Sequence, residues 1–349
     1  MKLKRGVNLG GWLSQCVKET EHYETFITRE DIKNIAKMGF DHVRLPIDHE
    51  VFENADGSEN TRDMKYVQRA IDWCSEEGLN IILDLHKAAG YDFNDAGDKE
   101  KNNLFNTEEL KVRFLELWKR IAGAYGHNAN VAFELLNEVV EKENADAWNE
   151  LIAKAVQSIR EVNNDTLIIY GGIQWNSVKT LKLLDKPADK NVLFTFHFYE
   201  PLIFTHQKAP WVANMDTDEE ISYPESMSYY DQKSEKLGFQ GEVARQARSK
   251  TMGPEFMEEM VCEAIAAAKA AGVGLYCGEF GVIDRAPTAD TLRWFKDVDA
   301  VFKKYDIGFS VWSYKQMDFG ITDEHYKPIK DEMIKLWMRG GIESERDQS

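Results

Sequence analysis

Two glutamates lie near the ends of short apolar runs, where an ionised carboxylate needs either a partner or a task. Glu138 closes Val131-Ala-Phe-Glu-Leu-Leu-Asn-Glu138, and Glu279 lies in Gly274-Leu-Tyr-Cys-Gly-Glu-Phe-Gly281. Asn137 precedes Glu138 in the same run, and other apolar runs carry Arg44, His86, His197, Tyr199 and Trp312. Burying charge without purpose costs several kcal/mol per ion, so the set as a whole calls for a site. Two carboxyl groups flanking one bond, one protonated and the other ionised, are what hydrolysis of a glycosidic bond requires. Arg44 fits as the partner that holds Glu279 ionised, although a plain structural ion pair would also account for it. His86 also reads as a satisfied core histidine, and Trp312 as a core aromatic. A sugar has flat apolar faces and hydroxyl edges, so aromatic platforms are expected beside polar groups. Trp312 is the first candidate platform, followed by Tyr199, Trp175 and Trp211.

These residues need elements to hold them. Eight β-rich runs span residues 6–10, 42–47, 80–86, 131–138, 166–172, 191–199, 274–281 and 308–315. Most are continuously apolar, as parallel strands buried on both faces should be. Helical patterns lie between them at 28–38, 107–125, 146–162, 256–271 and 288–305. The first opens on a capping-box pair, Thr28 and Asp31, and stops at Gly39. Alternation of strand and helix repeated eight times predicts an α/β fold, a (β/α)8 TIM barrel. A doubly wound sheet is disfavoured, because the first run, Gly6-Val-Asn-Leu-Gly-Gly-Trp12, lacks the G-x-G-x-x-G fingerprint. The polar residues are placed in the C-terminal halves of their strands, at the face where such barrels do chemistry. Strands four and seven are expected to face each other across the mouth. Residues 1–349 are expected to form one catalytic domain, with 201–255 an inserted subdomain or long loop after strand six, flanking the cleft.

Composition narrows the partners. A formal net charge of −17 disfavours nucleic acid and anionic membranes, which need clustered Lys and Arg. No apolar stretch is long enough to span a bilayer. Met1-Lys-Leu-Lys-Arg5 leads on without an apolar signal region, which leaves open an intracellular protein or one whose signal is missing. Cys16, Cys74, Cys262 and Cys277 show no CxxC or zinc spacing and are expected to be buried free thiols. No cofactor and no metal is expected, and monomer is the default state.

The same motifs resemble glycoside hydrolase family 5. The resemblant pieces are Gly6-Val-Asn-Leu-Gly-Gly-Trp12, Gly39-Phe-Asp-His-Val-Arg-Leu-Pro46, Leu83-Asp-Leu-His86, Ala132-Phe-Glu-Leu-Leu-Asn-Glu-Val139, His197-Phe-Tyr199, Phe204-Thr-His-Gln-Lys-Ala209, Tyr276-Cys-Gly-Glu-Phe-Gly-Val282 and Val311-Trp-Ser-Tyr-Lys315. The resemblance implies a retaining endo-β-glucanase acting on β-1,4 and mixed-linkage glucans. Glu138 would be the acid/base and Glu279 the nucleophile. Asn137 would bind the sugar 2-hydroxyl, Arg44 and Tyr199 would support the nucleophile, and His86 and His197 would orient around the same subsite. Trp312 would stack under the sugar. A β-mannanase or an exo-acting β-glucosidase of the same family is the alternative. Two departures bear on substrate preference: Lys87 stands where a close family member has a second His, and residues 214–252 match poorly. A metal-dependent barrel hydrolase using His86, Glu138, His197 and Glu279 is a rival, as is a catalytically dead carbohydrate-binding barrel.

Overall fold

The computed structural model describes residues 1–339. Its strands are β1 (Arg5–Asn8), β2 (His42–Asp48), β3 (Asn80–Lys87), β4 (Val131–Glu134), β5 (Leu167–Gly171), β6 (Val192–Phe198), β7 (Gly274–Phe280) and β8 (Gly308–Val311). They pair in chain order, all parallel, and β8 returns to β1 to close the barrel. The helices are α1 (Thr20–Thr25), α2 (Arg29–Met38), α3 (Met64–Glu76), α4 (Glu108–Tyr125), α5 (Ala145–Arg160), α6 (Leu202–Thr205), α7 (Met227–Ser234), α8 (Phe239–Arg245), α9 (Pro254–Ala271), α10 (Thr288–Lys304) and α11 (Lys330–Met338).

The expected alternation fails once. Between β5 and β6 the chain makes a single 3-10 turn, Leu181–Leu183, in place of a helix. That connection carries Gly172, Asp185 and Pro187 and lacks an apolar stripe long enough to nucleate a helix. Elsewhere the local signals hold. The Thr28 side chain accepts from Asp31 N, Asp31 returns a bond to Thr28 N, and Gly39 ends α2 at φ 94°.

The aromatic stripes of the helices are core, and their indoles also fix the ends of strands. Trp118 of α4 donates to Leu135 O at 3.0 Å, Trp148 of α5 to Gly171 O at 2.9 Å, and Trp294 of α10 to Glu200 O at 2.9 Å. Each bond lands at or just past the end of β4, β5 or β6, so helix packing sets where the mouth loops begin. Inside the barrel, Leu3, Ile82, Ala132, Ile169 and Tyr276 form a separate apolar floor.

The long β6–β7 connection folds into α6, α7 and α8 before α9 begins at Pro254. It is anchored on α10: buried Tyr223 donates its N–H to Asp290 at 2.8 Å and its hydroxyl to Asp297 at 2.7 Å. Cys74 and Cys277 are buried, whereas Cys16 and Cys262 are only half-buried, and all four are free thiols. Among the described residues no helix is long and apolar enough to cross a membrane.

Candidate active site

The site is built around one buried guanidinium. Arg44, the third residue of β2, is fully buried and forks onto Glu134 of β4 through two bonds of 2.8 Å. It also donates to Glu279 Oε1 at 2.7 Å, Asn137 Oδ1 at 2.8 Å and Asn8 Oδ1 at 3.0 Å, and lies 3.0 Å from Asp84. Arg44 is therefore not in the C-terminal half of its strand, as expected; it sits lower, inside the barrel, and reaches upward. Glu138 and Asn137 also depart from expectation. The regular part of β4 ends at Glu134; beyond it single backbone bonds still reach both neighbours, Leu135 N to Ile169 O of β5 and Asn137 N to Leu85 O of β3, each at 3.0 Å. Trp312 likewise lies one residue beyond β8.

Strand irregularities aim the remaining groups. The β6–β7 register shifts between Phe196 and His197, which sets His197 opposite Glu279. Gly278 leaves room for this: a Cβ there would sit 3.2 Å from His197 Nε2. His197 Nδ1 then lies 2.7 Å from Glu138 Oε1 and 3.6 Å from Glu279 Oε2. The Tyr199 hydroxyl donates to Glu279 Oε2 at 2.9 Å. His86 Nδ1 meets Asp84 at 2.6 Å, and its ring lies parallel to that of Trp312 with centroids 6.0 Å apart.

All the expected site residues thus converge on one mouth. Arg44 lies beneath it; the others line a cleft of about 800 Å³ that Trp175 and Trp211 also border. Phe239 and Gln240 of α8 form part of the same wall. Lys87 instead pairs with Asp92 at 2.7 Å.

Burial pushes the Glu138 carboxyl up to about 8; Arg44 pulls against this and Glu134 adds to it. Burial also drives His197 down to about 4 and His86 down to about 3, so both rings are neutral near pH 7. Asp84 is pushed up to about 7 by burial, against the pull of Arg44. Glu138 is therefore fitted to carry a proton. Glu279, with Arg44 on one oxygen and Tyr199 on the other, has donors suited to a carboxylate.

One donor atom each from Glu138, His197 and Glu279 lie within 4.8 Å of one another, close enough to consider a metal. His197 Nδ1 is already engaged with Glu138 Oε1, and both Glu279 oxygens are taken by Arg44 and Tyr199; the guanidinium beside Glu279 opposes a second cation.

Sequence reasoning missed Asp84, Glu134, Asn8 and Asn176, all buried in or beside the site. Asp84 had a signal, since it shares a strand face with His86 two residues on.

A parallel barrel whose mouth presents two close carboxyls, one pushed up by burial and one clasped by Arg and Tyr, has the make-up of a glycoside hydrolase. The sequence model of the cellulase family, glycosyl hydrolase family 5, matches residues 7–318, and the chain belongs to that family. It is 37% identical to Endoglucanase C of Acetivibrio thermocellus, over 97% of this chain and 99% of the relative. It is 38% identical to Cellodextrinase A of Ruminococcus flavefaciens, over 87% and 83%. Among solved structures, the endoglucanase Cel5A of Thermotoga maritima superposes with a TM-score of 0.75 at 26% identity, covering 96% of this chain and 97% of that one.

Proposed function

We propose that this enzyme is a retaining endo-β-glucanase that cleaves β-1,4 bonds in cellulose-type and mixed-linkage glucans, with Glu138 as acid/base and Glu279 as nucleophile. The supporting observation is the gap between them. An oxygen of each lies within 4.8 Å of the other, close to the roughly 5–5.5 Å of retaining enzymes and short of the roughly 6.5–9.5 Å of inverting ones.

Glu138 gives its proton to the glycosidic oxygen as Glu279 attacks the anomeric carbon. The bond to the leaving sugar breaks with its electron pair on that oxygen, and the glycone stays esterified to Glu279. Glu138, now a carboxylate, takes a proton from water, whose oxygen displaces Glu279 from the face the leaving sugar vacated. Two inversions give net retention. Arg44 and Tyr199 hold Glu279 in line, Asn137 and His86 meet the hydroxyls of the reacting sugar, and Trp312 stacks beneath it. The segment 201–255 acts as a subdomain that walls one side of the cleft within a single catalytic domain.

The names of the two curated relatives support glucan as substrate. A β-mannan reading is kept by one observation: the Thermotoga maritima enzyme was crystallised with mannotriose. The net charge of −17 favours a neutral polymer over nucleic acid, and an open cleft needs no second subunit. The test is reducing-sugar release from barley mixed-linkage glucan, carboxymethylcellulose and glucomannan by the native enzyme and by Glu279→Ala. Glucan cleavage that drops roughly a thousandfold or more in the variant supports both substrate and nucleophile. Release from glucomannan alone would replace glucan by mannan.

A further inference from the structure

Beginning three residues past the end of β5, three consecutive non-glycine residues adopt left-handed backbone: Gln174, Trp175 and Asn176, at φ 53°, 57° and 53°. Such conformations cost on the order of 1–2 kcal/mol per residue and persist only where the surroundings hold them. Asn176 closes the run with a buried side chain turned inward. A Cβ on Gly171 would fall 2.2 Å from Asn176 Oδ1, so the glycine makes space for it.

Three contacts tie Asn176 to the acid side of the site. Its amide nitrogen donates to Asn137 O at 2.5 Å, and the same nitrogen lies 3.4 Å from His197 Nε2. Its backbone carbonyl accepts from His197 N at 3.0 Å. Proton bookkeeping then fixes the histidine. The atom facing the Asn137 carbonyl must be the NH2 group, because a carbonyl only accepts. The second amide hydrogen meets His197 Nε2, which must therefore be the lone-pair nitrogen. In a neutral ring the proton then sits on Nδ1, and Nδ1–H donates to Glu138 Oε1 at 2.7 Å. An oxygen that accepts from Nδ1–H is disfavoured as the protonated one. The Glu138 proton is left on Oε2, which has no partner among the described residues.

We propose that Asn176 is a positioning residue for the acid step: by holding His197 as the Nδ1–H tautomer, it keeps the Glu138 proton on the oxygen that meets the glycosidic bond. The proposal rests on Glu138 being the acid. The neutrality of His197, which burial drives down to about 4, leaves the tautomer as the variable.

Asn176→Asp keeps the size of the side chain and removes both amide hydrogens, so the bond to Asn137 O is lost together with the one to His197 Nε2. A carboxylate accepts from Nε2–H, turns the Nδ1 lone pair toward Glu138 and draws the acid proton into that contact. The readout is kcat/KM, which covers the steps up to the covalent intermediate. On cellotetraose, whose leaving sugar needs a proton, it falls about 100-fold, the lower end of what general-acid catalysis contributes. On 2,4-dinitrophenyl β-cellobioside, whose leaving group departs unprotonated, it changes less than about threefold, because no acid term is at stake. Equal losses on both substrates, or no loss on cellotetraose, would overturn the role of Asn176. Glu138→Gln is run beside it: if that variant also lacks leaving-group dependence, the assignment of the acid itself has failed. Should Asn176→Asp not fold, nitrogen-15 NMR of the unaltered enzyme decides. A proton on His197 Nδ1 supports the proposal, and a proton on Nε2 overturns it.

Discussion

Arg44→Met removes the charge on which three buried carboxyls depend. Arg44 and the side chains of Asp84 and Glu134 are wholly buried, and that of Glu279 is 7% exposed. The variant forfeits the two bonds to Glu134, the 2.7 Å bond to Glu279 and the 3.0 Å contact to Asp84. Breaking even one buried ion pair costs about 3–5 kcal/mol; the loss is not a multiple of that, because the stranded carboxyls can take up protons. Proton uptake gives the effect a sign with pH. Asp84 already titrates at about 7 because of burial, with Arg44 pulling it down. Without Arg44 its folded value rises further above the unfolded one. A carboxyl raised in the folded state favours folding below the unfolded value, and that contribution is lost as pH climbs toward the folded value. The deficit of Arg44→Met against the native protein should therefore be small near pH 4 and about 3 kcal/mol or more at pH 8. Urea unfolding followed by tryptophan fluorescence at both pH values measures it. A deficit under about 1 kcal/mol at pH 8, or one independent of pH, refutes the hub role. Arg44→Lys restores charge but not the planar fork, so it should recover most of the stability and little of the activity.

The native kcat/KM should fall on the alkaline side through about pH 8 as Glu138 loses its proton; a profile flat to pH 10 would remove Glu138 as the acid. Glu138→Gln should unfold at higher urea than the native protein at pH 8 and not at pH 4. The folded carboxyl is raised to about 8, so the native form loses stability across that window while the amide does not, by on the order of a few kcal/mol at the alkaline end. Millimolar EDTA should leave glucan hydrolysis unchanged; loss that returns with added divalent metal would mean that Glu138, His197 and Glu279 work as ligands.

Much of the frame was legible because its signals are local. Short β-rich runs, most of them continuously apolar, marked all eight strands, and Thr28, Asp31 and Gly39 marked both ends of α2. Helices α3 and α11 and the shorter α1, α6, α7 and α8 add to the five helices expected from sequence, although in α3 Val67, Ala70, Ile71 and Cys74 carry helical spacing. What escaped is non-local. The end of β4 was read four residues too far because Leu135 and Leu136 are as apolar as a strand, and only the pairing with β3 and β5 shows that regular register ends at Glu134. Glu134 and Asn8 lie 90 and 36 residues from Arg44 along the chain, and no periodicity links residues so separated. Asn176 was illegible for a further reason: its importance lies in a left-handed backbone and in the space Gly171 leaves, neither of which a residue type announces.

The roles of the two carboxyls meet their most direct test in covalent trapping. Incubation with 2,4-dinitrophenyl 2-deoxy-2-fluoro-β-cellobioside, followed by proteolysis and mass spectrometry, reads which side chain carries the sugar. A fluoro-cellobiosyl ester on Glu279 is the predicted result, in step with loss of activity. No adduct, or an adduct on Glu138 or any other residue, would contradict the assignment of Glu279 as nucleophile of a retaining reaction.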